Sequence, residues 1–208
     1  FRMVRSQKNR FGAVNELGVF AMTDSGLKEV SNPSAIFLQR DNQISSGTVV
    51  TSMWEGTRPL LLELQALVSE SHLGNPRRVT LGLDQNRLSM LLAVLQRHGG
   101  MTVGDQDVYV NIVGGMRIVE TSADLALILS VISSFRDKPL PRDLVVFGEV
   151  GLGGEIRPVV NGQERLREAS KHGFMRAVVP LANAPKKKID NMDVLPVKRI
   201  TDAMEAYF

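Results

Sequence analysis

A serine at the start of an apolar segment is the first residue in this sequence that could do chemistry. Ser122 lies in the stretch 120–124, Glu-Thr-Ser-Ala-Asp. A serine acts as a nucleophile only where a base within hydrogen-bond reach accepts its proton, so a lysine or histidine from a distant segment would be needed. The alternative is structural, because Thr121 or Ser122 would cap the following helix and Asp124 would complement the helix dipole. Capping preferences favour this alternative.

A glycine-rich segment, 148–154 (Gly-Glu-Val-Gly-Leu-Gly-Gly), is the second candidate. A phosphate bound there would lack a cation and a helix N-terminus, because no Lys-Ser or Lys-Thr pair follows and no helix is predicted to begin on it. Glycines supply the positive φ angles of tight turns. The segment therefore predicts a turn between two strands. Because the chain contains no Walker A sequence, we expect that it does not hydrolyse ATP by itself.

Five arginines next to strands and turns are candidates for binding an anion. Arg117 and Arg157 each lie on a predicted short strand beside glycines, where a guanidinium reaches a groove and binds a phosphate. Secondary candidates are Arg77 and Arg78, which precede a strand, and Arg87 on a helix. Aromatic residues make up only 5% of the chain, which argues against a base-stacking platform. The pattern favours contacts to a nucleic-acid backbone that do not read its sequence.

The motif KNRFG at 8–12 is the fourth candidate. Lys8 is a point charge, Arg10 is a planar fork suited to phosphate oxygens, and Gly12 permits a tight turn after Asn9 and Phe11. The alternative is a solvated loop anchored by a buried Phe11. The residues alone leave both interpretations open.

Composition limits the class of protein. The 208 residues are 43% hydrophobic and 23% charged, which is typical of a soluble globular protein with one main domain. No apolar run reaches the ~20 residues that a bilayer span needs, so we expect no membrane association. The net charge of +3 permits a polyanionic partner.

The absence of cysteine excludes disulfides, thiolate zinc sites and cysteine nucleophiles, and it fits the cytoplasm. The three histidines, which are far apart in sequence, predict no metal site. The N-terminus shows no signal-peptide pattern and suggests that the chain begins inside a longer protein.

Apolar spacing predicts the elements that must position these residues. Strands are predicted over 1–5, 17–22, 49–54, 60–68, 79–83, 107–113, 116–119, 144–148, 155–159, 177–180 and 193–197. Asp84 would cap a helix with an apolar stripe of leucines at 88, 91, 92 and 95 that ends at 98–100. Further helices are a buried one over 122–135, an amphipathic one over 162–172 and a terminal one capped by Thr201. We expect a helical turn at 32–33 and a loop over 39–47. Because strands and helices mix without strict alternation, the pattern predicts an α+β (mixed α/β) fold with mixed sheets and packed helices.

Together these residues resemble the bacterial RadA (also called Sms) family of DNA repair proteins. The KNRFG motif is one match, and others extend the resemblance over essentially the whole chain, at 15–22, 30–38, 54–61, 75–79, 85–88, 111–115, 120–127 and 147–159. Proteins of this family have a four-cysteine zinc finger, a RecA-like ATPase domain and a C-terminal domain that resembles the proteolytic domain of Lon. Because the cysteines and the Walker loop are absent here, the resemblance implies the C-terminal part of such a protein.

The resemblance also implies domains and cofactors. Residues 1–30 would be the end of the ATPase domain with the KNRFG motif and a linker, and residues 31–208 a Lon-protease-like domain of the ribosomal protein S5 domain 2-like fold. ATP, Mg and zinc would belong to the missing N-terminal domains, and this part would hold no cofactor.

The function that the resemblance implies is that of a hexameric, ATP-dependent motor. Such rings move on single-stranded DNA and drive branch migration in recombinational repair, with RecA as a partner. This part would serve as the DNA-binding and hexamerisation platform. Two alternatives are a serine peptidase that uses Ser122 and an assembly domain that does not contact DNA.

The resemblance to Lon bears on the serine. The Gly-Pro-Ser-Ala-Gly stretch of Lon-type proteases matches 120–124, which puts Ser122 at the position of the nucleophile. The Gly-Gly-Leu-Lys-Glu-Lys stretch matches 160–165, which puts Gln163 where the lysine base stands. A neutral amide does not accept the serine proton, and Lys171 lies about two helical turns further on, a rise of ~12 Å. The comparison therefore predicts a domain without proteolytic activity.

Overall fold

The N-terminal strands form an antiparallel sheet of their own. The computed structural model describes residues 2–5, 10, 17–30, 34, 38, 45–72 and 74–208. Strands β1 (Arg2–Arg5), β2 (Leu17–Thr23) and β3 (Gly26–Glu29) pair in that order. The two strands predicted on either side of KNRFG are therefore confirmed.

The motif itself is covered only at Arg10, which is exposed. The predictions for Lys8, Asn9, Phe11 and Gly12 lie outside the described residues, as does the helical turn at 32–33. The boundary between residues 30 and 31 stays a prediction.

A seven-stranded mixed sheet is the largest layer within the described residues. Its order is β12-β11-β8-β4-β5-β7-β6, and only β5 runs against the others. The strands are β4 (Thr48–Glu55), β5 (Arg58–Glu70), β6 (Arg78–Leu81), β7 (Gln106–Ile112), β8 (Leu144–Val146), β11 (Arg176–Pro180) and β12 (Asp193–Val197). A two-stranded hairpin, β9 (Glu149–Val150) and β10 (Ile156–Arg157), lies beside it. The mixed α/β fold predicted from the sequence is confirmed.

Helices cover both faces of this sheet. In the described part they are α1 (Gln85–Gly99), α2 (Asp124–Phe135), α3 (Gly162–Lys171) and α4 (Ile200–Tyr207). The leucine stripe of α1 and nearly all of α2 are buried in one apolar cluster, while Leu166 of α3 belongs to a second cluster. Along β5, Leu60 and Leu62 face the first cluster and Leu61 the second, because side chains alternate along a strand. β5 is therefore buried on both faces.

The common direction of six strands creates two distinct edges. The carboxyl ends of these six strands lie together on one side of the sheet, which we call the carboxyl edge; the opposite side is the amino edge. The strands are β4, β6, β7, β8, β11 and β12. The segment after β7, the β9–β10 hairpin and the first turn of α3 follow strand ends at the carboxyl edge. In open α/β sheets this edge is the usual place for a ligand.

One predicted strand is wrong. Residues 116–119 alternate between buried and exposed but pair with no strand among the described residues. Gly114 and Gly115, with φ angles of 82° and 70°, turn the chain out of the sheet after β7. The segment then runs past the end of β6, where Ile118 N donates to Gly82 O at 2.8 Å. Buried and exposed residues alternate here because the backbone is extended, although the segment has no partner strand in the part of the chain that the structure describes.

The predicted helix caps are only partly correct. Asp84 does cap α1, since its carboxylate accepts from Arg87 N at 2.8 Å. Thr201 does not cap α4, because that helix begins at Ile200 and the Asp202 carboxylate instead accepts from Lys198 N and Arg199 N. Neither Thr121 nor Ser122 caps α2, whose N-cap is Ala123 without a side-chain bond.

Candidate functional site

Ser122 belongs to a buried polar network at the carboxyl edge. It lies in the short 3₁₀ turn Thr121–Ala123, is 1% exposed, and donates to the Glu120 carboxylate at 2.6 Å. The same carboxylate accepts from Trp54 N at 2.6 Å. Both of its oxygens also accept from the Arg165 guanidinium, each at 2.9 Å. The serine is thus held by an ion pair that joins the turn to β4 and α3.

Arg165 is the most deeply buried charge of this network. Its side chain is 0% exposed, and it also donates to the carbonyls of Val160 and Ser52. Its guanidinium carbon lies 6.0 Å from the ring centroids of both Trp54 and Phe147. A cation so placed is stabilised by its carboxylate and by the faces of the rings.

The protonation of Glu120 follows from its surroundings. Burial raises the pKa of the Glu120 carboxyl, but the hydrogen bonds from Arg165 and Ser122 outweigh burial, and the pKa lies below its ordinary value. A carboxylate with a lowered pKa is a weak base and therefore accepts a serine proton poorly. A guanidinium has only N–H donors and no acceptor, so Arg165 cannot take the serine proton either.

Gln163 lies on the same helix but is engaged elsewhere. Its side-chain amide donates to Asn183 O at 3.0 Å. The cation that contacts the carboxylate of the network comes two residues later, at Arg165. The surroundings of Ser122 therefore fit a structural hydrogen bond better than an activated nucleophile.

A serine-reactive probe tests this arrangement. We expect a fluorophosphonate to leave Ser122 unlabelled in the native protein, because the hydroxyl is buried and its only titratable contact is a charged carboxylate. Ser122→Ala should cost about 1 kcal/mol of stability, which is typical for one lost hydrogen bond. Labelling of native protein that disappears in Ser122→Ala, detected by intact-mass analysis, would instead establish a nucleophile.

A second buried ion pair joins α1 to the start of α2. The Arg87 guanidinium binds both oxygens of Asp124, with Nε 2.9 Å from Oδ1, and also donates to Val150 O. Asp124 in turn accepts from Val150 N at 3.1 Å. The side chains are 24% and 4% exposed respectively. Asp124 thus lies in the first turn of α2 as predicted, but its carboxylate pairs with an arginine.

The glycine-rich segment forms the predicted turn between strands, and the anion that lies against it is a carboxylate of the same chain. Gly151 N donates to Glu155 O, which closes the turn between β9 and β10. The Glu155 carboxylate lies against the turn, and a Cβ at Gly151 would come within 1.9 Å of its oxygen. Hydrogen bonds from the backbone and from Arg157 lower the pKa of Glu155. The glycines make room for a carboxylate of the chain.

The five candidate arginines divide between the two edges of the sheet. Arg117 and Arg157 are exposed at the carboxyl edge, where Arg157 is 58% exposed and pairs with Glu155. Arg87 is at the same edge but is bound to Asp124. Arg77 and Arg78 lie at the start of β6, on the amino edge. Because β6 has four residues, roughly 13 Å of strand separates them from the carboxyl edge.

The guanidinium groups at the amino edge differ in their contacts. Arg78 donates to the carbonyls of Val103, Gly104 and Gln106 and so holds the turn before β7. Arg77 is exposed, and its backbone N donates to Asp107. The structure thus brings Arg117 and Arg157 to one edge and separates them from Arg77 and Arg78. The expectation that Arg117 lies on a strand is wrong, because 116–119 is unpaired.

Arg165 is not among the candidates suggested by the sequence, although its position carries a signal. The buried positions of α3 are Gly162, Arg165, Leu166 and Ala169, which form a single stripe. A charged residue in an apolar stripe indicates a buried partner. The partner, Glu120, is 45 residues away in sequence and does not follow from any local pattern.

Two further properties concern ligands and membranes. Across the described ranges, no cluster of three or more His, Asp or Glu side chains has a geometry suited to a metal ion. The same ranges contain no helix with the length and apolar character that crossing a bilayer requires.

Comparison with known proteins identifies the family. The family model described as subunit ChlI of Mg-chelatase matches residues 85–183, less than half of the chain. The DNA repair protein RadA of Escherichia coli (strain K12) is 65% identical over 207 residues. Those of Halalkalibacterium halodurans and Aquifex aeolicus are 47% and 46% identical over 207 and 208 residues. These alignments cover 99 to 100% of this chain but 45 to 46% of each relative.

The alignment with the Escherichia coli protein covers 100% of this chain and therefore includes the segments that carry Ser122, Arg117 and Arg157. The chain spans about half the length of the curated relatives that it matches. It belongs to the family of the bacterial DNA repair protein RadA.

Proposed function

We propose that this chain is the DNA-binding and ring-forming part of a RadA-type motor, which uses ATP bound in another part of a longer protein to drive branch migration in recombinational repair. The name of the relatives, DNA repair protein RadA, supports the repair role. The observation that carries the DNA contact is the pair of exposed arginines, Arg117 and Arg157, on the edge of the sheet where ligands usually bind.

Other parts of the proposal concern assembly and cofactors. A homo-hexamer, RecA as a partner, a cytoplasmic location, and ATP, Mg and zinc in other domains are predictions that follow from the family resemblance. The Lon-protease-like character of residues 31–208 is a prediction from the family resemblance. Its proposed lack of proteolysis is supported by the surroundings of Ser122, whose titratable contact is the Glu120 carboxylate, itself paired with Arg165. The KNRFG motif is proposed to bind a nucleotide phosphate of a neighbouring subunit or DNA through Lys8 and Arg10.

A salt-dependent DNA titration tests the arginines. Arg117→Gln with Arg157→Gln should weaken binding to single-stranded oligothymidylate and reduce the slope of log K against log [salt] by roughly one unit per lost phosphate contact. The matched control is Arg142→Gln with Lys171→Gln, which changes the net charge equally at the amino edge, where Arg142 precedes β8, Lys171 ends α3, and both side chains are exposed.

The control decides which arginines lie on the DNA path. Equal losses in both double variants would indicate a general charge effect and remove Arg117 and Arg157 from the site. A chain that forms rings by analytical ultracentrifugation but shows no salt-dependent DNA binding would instead be an assembly domain.

A further inference from the structure

A cavity opens at the carboxyl edge, between the first turn of α3 and the segment that follows β11. Its volume is about 670 Å³, and the residues that line it include Lys186, Lys187, Lys188 and Arg167. The three lysines are exposed, and Arg167 is 3.9 Å from Glu164, which also lines the cavity. Four cations therefore surround this space together with one carboxylate, and the local field favours an anion.

The backbone adds to this field. Helix α3 begins at Gly162 beside the cavity, and its N-cap, Asn161, has a φ of 58° and makes no capping bond through its side chain. The first N–H groups of α3 are therefore not satisfied by the cap, and the helix dipole has its positive end here. The positive end of the helix adds to the electrostatic field of the lysines, but it does not by itself form the site.

The cavity is connected to Arg157 by a rigid contact. The Asn183 side chain lines the cavity and forms two hydrogen bonds with the Val159 backbone, accepting from N at 2.8 Å and donating to O at 2.9 Å. Val159 is two residues after Arg157, a span of about 7 Å in extended chain. These hydrogen bonds thus place the cavity beside the segment at whose start Arg157 lies.

Exposed aliphatic side chains adjoin the same surface. Val160, which is 67% exposed, precedes the cavity residue Asn161, and Leu181, which is 46% exposed, precedes Ala182. The bases of a single strand are exposed and accessible to apolar side chains, whereas a duplex keeps its bases paired and stacked inside. Cations beside exposed aliphatic groups therefore fit a single strand, without a stacking platform.

We infer that the cavity of Lys186, Lys187, Lys188 and Arg167 binds backbone phosphates of single-stranded DNA and extends the DNA path from Arg157 along the carboxyl edge. This inference rests on the proposed function. The shared chemistry is that of anionic phosphate oxygens, which belong to a monoanionic diester in DNA and to inorganic phosphate in solution, and the test separates the two sources.

The test compares two triple variants with the same change in net charge. Lys186→Gln, Lys187→Gln and Lys188→Gln should reduce the salt slope for oligothymidylate by roughly two to three units, about 0.7 to 1 per lost contact. The control combines Lys138→Gln, Arg142→Gln and Lys171→Gln. These exposed cations flank the starts of β8 and β11, at the amino edge, and should leave the slope nearly unchanged.

Each outcome decides between the possibilities. If the parent binds DNA, and the salt slope falls in the Arg117 and Arg157 double variant but not in the lysine triple variant, the inference is wrong while the proposed function stands. If the parent shows no salt-dependent binding, the proposed function fails first. If calorimetry shows that inorganic phosphate binds the parent but not the lysine variant, and the DNA slope is unchanged, the cavity is a site for free phosphate and the DNA assignment is overturned.

Discussion

Replacement of Arg165 by methionine should lower the free energy of unfolding by about 3 to 5 kcal/mol, which is the usual cost of breaking a buried ion pair. Arg165 is fully buried and binds both oxygens of Glu120, so its removal leaves a carboxylate in a partly desolvated site without its cation. Urea denaturation followed by circular dichroism measures the change, and the slope with denaturant checks that unfolding stays two-state.

The double variant Glu120→Gln with Arg165→Met is the control. The amide oxygen still accepts from Trp54 N and Ser122, and no charge is left buried, so most of the lost stability should return. Acid unfolding is an independent measure. The pKa of Glu120 is lower in the folded protein than in the unfolded chain. Its ionised carboxylate therefore stabilises the fold at pH values above the unfolded pKa of about 4.3, and this stabilisation is lost as the pH falls through the folded pKa. A single variant as stable as the parent would contradict the role of this pair.

Arg87→Met should lower the free energy of unfolding by about 3 kcal/mol. The carboxylate of Asp124 is 4% exposed and would keep only the Val150 N–H as a donor. The arginine is more exposed than its partner, so water replaces part of the lost contact, and we expect the lower end of the range for buried pairs. Thermal and urea unfolding of the purified variant measure this cost.

A double-mutant cycle with Asp124→Asn is the control for Arg87. The asparagine removes the buried charge, so the two substitutions together should cost less than their sum, with a coupling of roughly 1 to 3 kcal/mol. The cycle also settles the place of Arg87 among the DNA-binding candidates. If Arg87→Met is as stable as the parent but binds oligothymidylate more weakly, the arginine acts on DNA and the structural role is wrong.

Elements with a strong local pattern were predictable from the sequence. The leucine stripe of α1, with Asp84 before it and glycines after it, specifies a helix through contacts within a few residues. The glycines of 151–154 likewise specify a turn between strands. The segment 116–119 was not predictable in this way, because alternation reports extended backbone and only the turn at Gly114 and Gly115 decides whether a partner strand is within reach.

The candidate site was predictable in residue type but not in pairing. Exposed Arg117 and Arg157 follow from local context, whereas their common edge depends on strand directions that only the assembled sheet defines. Buried ion pairs are harder still. The sequence suggests Arg87 as a candidate for binding an external anion, because its partner, Asp124, is 37 residues away and local context assigns that carboxylate to the helix dipole.

The packing of Trp54 against Arg165 has a practical consequence. It is the only tryptophan in the chain, and its indole N–H donates to Gly56 O at 3.1 Å. Indole emission responds to nearby charge and to water, and the guanidinium carbon lies 6.0 Å from the ring centroid. The chain therefore contains a natural optical reporter beside the buried network of Ser122, Glu120 and Arg165, and its fluorescence will register any opening of that region without an added label.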